Sequence, residues 1–92
     1  MFVVISYDIP SDRRRRRMRK TLKSYGEHVQ ESVFECDLNK GELIKVMRAI
    51  QSIMDMSEDN LRIYRLCQAD VKLIRPLGVS REVQLAQEFV II

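Results

Sequence analysis

Apolar and polar positions follow two different periods along this chain, and each period marks a different kind of element. Phe2 to Tyr7 is an apolar run with β-branched Val3, Val4 and Ile5, the pattern of a central strand covered on both faces. Pro10 ends it, because proline has no N–H to give to a ladder. Ser11 then offers a helix N-cap. Met18, Leu22 and Tyr25 recur at i, i+4 and i+7, and Gly26 supplies a left-handed stop. The spacing predicts a helix over 12–25.

From His28 to Leu38 the period drops to two. Ser32, Phe34, Cys36 and Leu38 share one face, with Glu31, Glu35 and Asp37 on the other. Val33 breaks this alternation and predicts a bulge or a very tight hairpin near Glu31 and Ser32. Asn39 with Glu42 three residues on makes a partial capping box. Leu43, Met47, Ile50 and Met54 follow at helical spacing, and DMSEDN is a polar loop. Leu61 to Cys67 reads as a strand, Val71 to Arg75 as a shorter one, 79–88 is ambiguous, and Phe89, Val90, Ile91 and Ile92 read as a final strand.

The order β-α-β-(β)-α-β predicts an α+β fold, a ferredoxin-like βαββαβ sandwich with both helices on one sheet face and an extra C-terminal strand. Something must cover the other face. The closing residues 89–92 are apolar on both sides of their strand, which a solvent-facing tail would not be. The economical solution is a symmetric homodimer in which the sheets stack and the 79–92 extension pairs with the partner protomer.

Size and composition narrow the class. Ninety-two residues, 46% hydrophobic and 32% charged, make a single globular domain, 1–92. No apolar run is long enough to span a bilayer. Met1 leads straight into FVVIS without a basic segment, so that stretch reads as a core strand and not a signal peptide, and a cytoplasmic location is expected. Cys36 and Cys67 fit neither a disulfide framework nor a paired zinc motif, and both are expected as buried reduced thiols.

Charge changes the picture more. The net +3 conceals eight Lys/Arg against three acids in residues 1–30, then three against seven in residues 31–60. Most of the excess is Arg13 to Arg17, at the positive end of a helix dipole, where each cation costs about 0.3–1 kcal/mol at low salt. Five successive helical residues wrap more than a full turn, so they cannot share one solvated face. A hydrated helix start is one reading. A polyanion held by Arg14, Arg15, Arg16, Arg17 and Arg19 is the other, since guanidinium forks and helix-start amides both suit phosphate. The aromatic signature of an RNA-reading sheet is missing, so recognition would be of backbone and shape.

Asp8 ends the first strand, where side chains leave the core. It suits an Asx turn, or one ligand to Mg²⁺ or Mn²⁺, which keep several waters and need one or two carboxylates. One chain offers Asp8 without a DxD or a nearby His; a two-fold dimer would set a second Asp8 against the first. His28, the sole histidine, stands at a strand start, where a surface role is expected.

SYDIPSDRRRRRMRKTLKSYG followed by HVQESVFECDL resembles the CRISPR-associated protein 2 family, the small partner of the CRISPR integrase in spacer acquisition. The shared pattern is a strand ending in Tyr-Asp-Ile, a basic helix closing with Leu and Gly, then Gln-x-Ser-Val-Phe-Glu. The resemblance implies a ferredoxin-like homodimer with a swapped C-terminal strand. It implies that Asp8 is the metal-binding catalytic acid of a Mg²⁺-dependent endonuclease acting on single-stranded RNA or double-stranded DNA. Arg15 and Arg17 take positions of functional basic residues and Phe34 that of a site-lining aromatic; Tyr7, of the Tyr-Asp-Ile strand end, is counted with them as a nucleic-acid-binding residue. At His28 some members carry arginine. The resemblance also implies an alternative role as a non-catalytic adaptor, bridging integrase dimers and gripping DNA through the arginines.

Overall fold

The computed structural model describes residues 1–79. The chain runs β1 (Phe2–Asp8), α1 (Asp12–Leu22), β2 (Glu27–Gln30), β3 (Val33–Asp37), α2 (Lys40–Ile53), β4 (Asn60–Leu66) and a one-turn α3 (Gln68–Val71). The strands form one antiparallel sheet in the order β2-β3-β1-β4. The most apolar strand therefore lies inside it, with Ile5 facing Phe34 on one side and Ile63 on the other. This is the split βαβ arrangement expected of a ferredoxin-like fold. The predicted strand at 89–92 and most of the ambiguous stretch lie outside the described residues.

Strand alternation sorts the side chains onto two faces. Val3, Ile5 and Tyr7, followed by Ile9, point towards the helices. There they meet Met18 and Leu22 of α1, Val46, Ile50 and Ile53 of α2, and Phe34, Cys36 and Leu38. Each large apolar side chain buried in this layer contributes roughly 1.5–3 kcal/mol. Phe2, Val4, Ser6 and Asp8 take the opposite face. Among the described residues only its Phe2 end is covered, by Val71 with Leu66 and Ile74 around it, and Tyr64 is 48% exposed there.

Local signals set the element ends. The Ser11 hydroxyl accepts from the Arg14 amide at 3.2 Å, capping α1. The capping box at α2 is complete: Asn39 accepts from the Glu42 amide at 2.8 Å, and Glu42 accepts from the Asn39 amide at 2.9 Å. The hairpin at Glu31–Ser32 is as tight as Val33 required, and β2 also shifts register between His28 and Gln30.

Five sequence expectations are corrected. α1 closes at Leu22, whose carbonyl takes the amides of both Tyr25 and Gly26. Gly26 is needed for space and not for a left-handed stop, because a Cβ there would lie 2.4 Å from Cys36 Sγ and from the Glu35 carbonyl oxygen. Among the described residues the positive φ belongs to Gly78, at 75°. Val71–Arg75 is no strand: Val71 and Ile74 reach Phe2 through a helical turn in which the Val71 amide bonds the Cys67 carbonyl. Cys67 is exposed because β4 stops before it and the chain turns outward. The buried stripe of α2 is Val46, Ile50 and Ile53, one step round from the predicted one, leaving Met47 42% exposed.

Candidate functional site

The arginine run divides into two groups, and the chain's own acids decide which. Arg14 lays its guanidinium on Asp59, with Nε donating to Oδ2 at 2.8 Å and Nη2 to Oδ1 at 3.0 Å, and reaches Glu58 at 2.9 Å. The Asp59 side chain is fully buried. It also accepts from the Asp55 amide at 2.9 Å, while the Asp55 carboxylate accepts from Ser57. The "polar loop" DMSEDN is thus a folded turn clamped to the start of α1. Arg14 holds the Asp59 carboxyl below its ordinary range, and the two acids hold the Arg14 guanidinium above its own.

Arg15 is the second internal member. It donates to the Ile9 carbonyl at 2.8 Å and pairs with Asp12, fastening the helix to the end of β1. Arg13, Arg16 and Arg17 are exposed, and with exposed Lys20 they stand at i, i+3, i+4 and i+7, one face of the helix. None of these four has an ion-pair partner among the described residues. The run does not crowd one face: two arginines are structural and three join a lysine in an outward cationic stripe. Arg19 is half-buried, close enough to Tyr7 for its charge to act on the phenol.

Asp8 is exposed at the last position of β1, on the sheet face away from the helices. Across from it in register is Asn60, the first residue of β4, also exposed. Neither side chain has a hydrogen-bond partner among the described residues, so Asp8 does not cap the turn that follows it.

The aromatic expectations need revision. Phe34 is fully buried and Tyr7 is 4% exposed, so neither ring face can stack on a base in this conformation. Phe34 lies between the two other rings, its centroid 4.6 Å from that of His28 and 6.4 Å from that of Tyr7. His28 Nε2 sits 2.9 Å from the Glu31 carbonyl, so this ring ties the stack to the hairpin. The Tyr7 hydroxyl is buried without a hydrogen-bond partner among the described residues, and burial pushes its pKa up against the opposing pull of Arg19 and Arg15. These residues shape the ground under Asp8 and α1.

Asp59 and Asn60 stand outside every motif and period that the sequence offers. Three acids within one six-residue loop, in a chain whose first third is strongly basic, were the available signal.

Among the described residues no group of three His, Cys, Asp or Glu is close enough to hold a metal. The donors at hand for a hard cation are the free Asp8 carboxylate and the Asn60 carboxamide oxygen beside it.

A small antiparallel βαββαβ protein, with a free carboxylate at the end of its first strand and a cationic first helix, is the class so defined. The sequence matches the family described as "CRISPR associated protein Cas2" over residues 1–73. It is 45% identical over 82 residues to CRISPR-associated endonuclease Cas2 2 of Thermus thermophilus, covering 88% of this chain and 91% of that protein. It is 40% identical over 93 residues to CRISPR-associated endoribonuclease Cas2 1 of Chloroflexus aurantiacus, covering the full length of both. The fold superposes on the crystal structure of Streptococcus pyogenes Cas2 with a TM-score of 0.77 at 30% identity, covering 85% of this chain and all of that one. The chain belongs to the Cas2 family.

Proposed function

We propose that this protein is a metal-dependent endonuclease of a CRISPR system, cleaving RNA phosphodiester bonds and acting in spacer acquisition, with Asp8 as its catalytic acid. The observation that carries the proposal is the free, exposed Asp8 at the β1 end, a short turn before a helix that presents unpaired Arg13, Arg16, Arg17 and Lys20. Relatives named endoribonuclease and endonuclease support the same reading.

The chemistry follows from the groups. Guanidinium and ammonium charges on α1 bind phosphate oxygens along the strand and set its direction across the sheet end. With Tyr7 and Phe34 buried, the grip is on the backbone, and base identity contributes little. Asp8 accepts hydrogen bonds from the attacking hydroxyl group, whether of water or of a ribose, and orients it. Mg²⁺ or Mn²⁺ fits a site of one carboxylate per chain, because such ions keep most of their waters. When bound, the ion supplies positive charge against the charge that develops on the phosphate oxygens.

The working unit is proposed to be a homodimer. The face that bears Asp8 also carries half-covered Val4 and exposed Tyr64, and residues 89–92 would extend the partner's sheet. A second copy on this face brings two Asp8 residues together. A light-scattering mass of one chain at micromolar concentration would remove the dimer.

Replacing Asp8 by Asn tests the nuclease directly. The expected result is loss of cleavage of single-stranded RNA by about 10²-fold or more, with binding kept or tightened because a negative charge beside the phosphate is gone; full cleavage by the variant sinks the assignment. The adaptor role is favoured by the cationic stripe alone, which does not need Asp8. Cleavage absent in the unaltered protein, with tight salt-dependent binding of duplex DNA and of the CRISPR integrase, would select it.

A further inference from the structure

Arg14 differs from its neighbours in the run because its charge is already matched by buried Asp59 and by Glu58. A guanidinium held on three hydrogen bonds to these acids has little left to offer a phosphate. What the pair holds in place is informative. Asp59 immediately precedes Asn60, where β4 begins, and Asn60 stands directly opposite Asp8. Directly opposed residues on antiparallel strands share a face, with Cβ atoms about 4.5–5.5 Å apart. Two polar side chains are thus brought side by side at the sheet end, exposed and without partners among the described residues, and the residue before one of them, Asp59, is pinned by a part-buried ion pair with Arg14.

A carboxamide supplies what Asp8 lacks. Its N–H₂ group donates two hydrogen bonds, whereas an ionised carboxylate only accepts. A phosphodiester presented to Asp8 alone would meet like charge; with Asn60 alongside, one of its free oxygens finds a neutral donor at the same point. We infer that Asn60 is a substrate-orienting residue of the Asp8 site, donating to a non-bridging phosphate oxygen, and that Arg14 is a positioning residue that holds Asn60 there through Asp59. The inference rests on Asp8 being the reacting centre.

The test uses the full chain and two probes: a cleavable single-stranded RNA, and the same strand with 2′-O-methyl riboses, for binding. Asn60→Ala is expected to lower kcat/KM about tenfold, and Asn60→Asp to lower it further and weaken binding of the methylated strand, since it sets a second negative charge against the phosphate. Arg14→Gln and Asp59→Asn, each removing the charge while keeping a polar side chain, are expected to lower kcat while the slope of log K against log salt stays unchanged. Arg16→Ala or Arg17→Ala should each reduce that slope by about 0.7 for a single strand.

A loss of similar slope in Arg14→Gln would put Arg14 on the nucleic acid and overturn its positioning role. Unchanged kcat/KM and binding in both Asn60 variants, beside an inactive Asp8→Asn, would overturn the role of Asn60 and leave the nuclease reading intact. Full activity of Asp8→Asn would remove the nuclease reading itself. If the unaltered protein cuts nothing, the methylated strand still decides: binding by Asn60→Asp at full strength overturns the inference.

Discussion

The two faces of the sheet are built from the same strands by different rules. Towards the helices, Val3, Ile5, Tyr7, Phe34, Cys36 and Leu38 are each 4% exposed or less. Away from them the sheet carries Asp8, Glu35, Arg62 and Tyr64, and among the described residues apolar cover reaches only the Phe2 end. The first face settles its own chemistry within the chain. On the second, Glu35 faces Glu27 across the strand pair, and burial together with the Glu27 charge pushes its carboxyl above the ordinary range. The helix side carries stability, and the open side carries the proposed site and dimer contact.

The largest break in that contrast should come from the helix side. Phe34→Ala removes the middle ring of the His28–Phe34–Tyr7 stack and is expected to cost about 3–5 kcal/mol, measured by urea unfolding. A cost below 1 kcal/mol would mean that the dry layer does not carry the stability assigned to it. Gly26→Ala comes next. Its methyl would press on Cys36 Sγ and on the Glu35 carbonyl, so overpacking of about 1–3 kcal/mol is expected in the same assay.

Smaller effects test the open face through pH. A carboxyl with a raised pKa stabilises the fold most below its ordinary pKa, and that contribution is lost as pH rises through the raised value. Glu35→Gln should therefore increase stability at neutral pH, by about 0.2–1 kcal/mol as expected for relief of directly opposed like charges, and the gain should vanish in acid. Asp59 and Asp55 have lowered values, so their contribution is present above the ordinary carboxylate pKa and is lost as pH falls through the lowered ones. Thermal melts across pH 3 to 8 separate the two signs: Asp59→Asn should flatten the acid limb and Glu35→Gln the neutral one. Without energetic cost to the fold, thiol labelling distinguishes surface from core. Cys67 is exposed and should react at neutral pH, whereas Cys36 is buried with its pKa pushed up to about 11 and should react only after unfolding.

Much of this was legible in sequence because the relevant signals are local. The β1 run, the Ser11 and Asn39 caps and the period-two stretch through Phe34, Cys36 and Leu38 each concern neighbours within a few residues. The sheet order then follows from few alternatives. The Arg14–Asp59 pair was not legible, because it joins residues far apart in the chain and depends on how the turn before β4 folds. Phe34 misled for a related reason. Alternation shows which face a ring takes, and the packed layer decides whether any of it remains exposed. Val71 and Ile74 belong to a short apolar run that satisfies either period, so their spacing does not separate a strand from a helical turn.

The place of β1 in the sheet bears on how the protein is made. β1 is an interior strand that leaves the ribosome before both of its partners, β3 and, much later, β4. Until Asn60–Leu66 has emerged, the nascent chain carries FVVIS with one ladder edge unmet, and the sheet cannot close. Synthesis therefore passes through a long interval in which the stickiest segment is exposed and waiting. A stall or premature stop in the α2 region would release an aggregation-prone fragment, not a smaller folded protein.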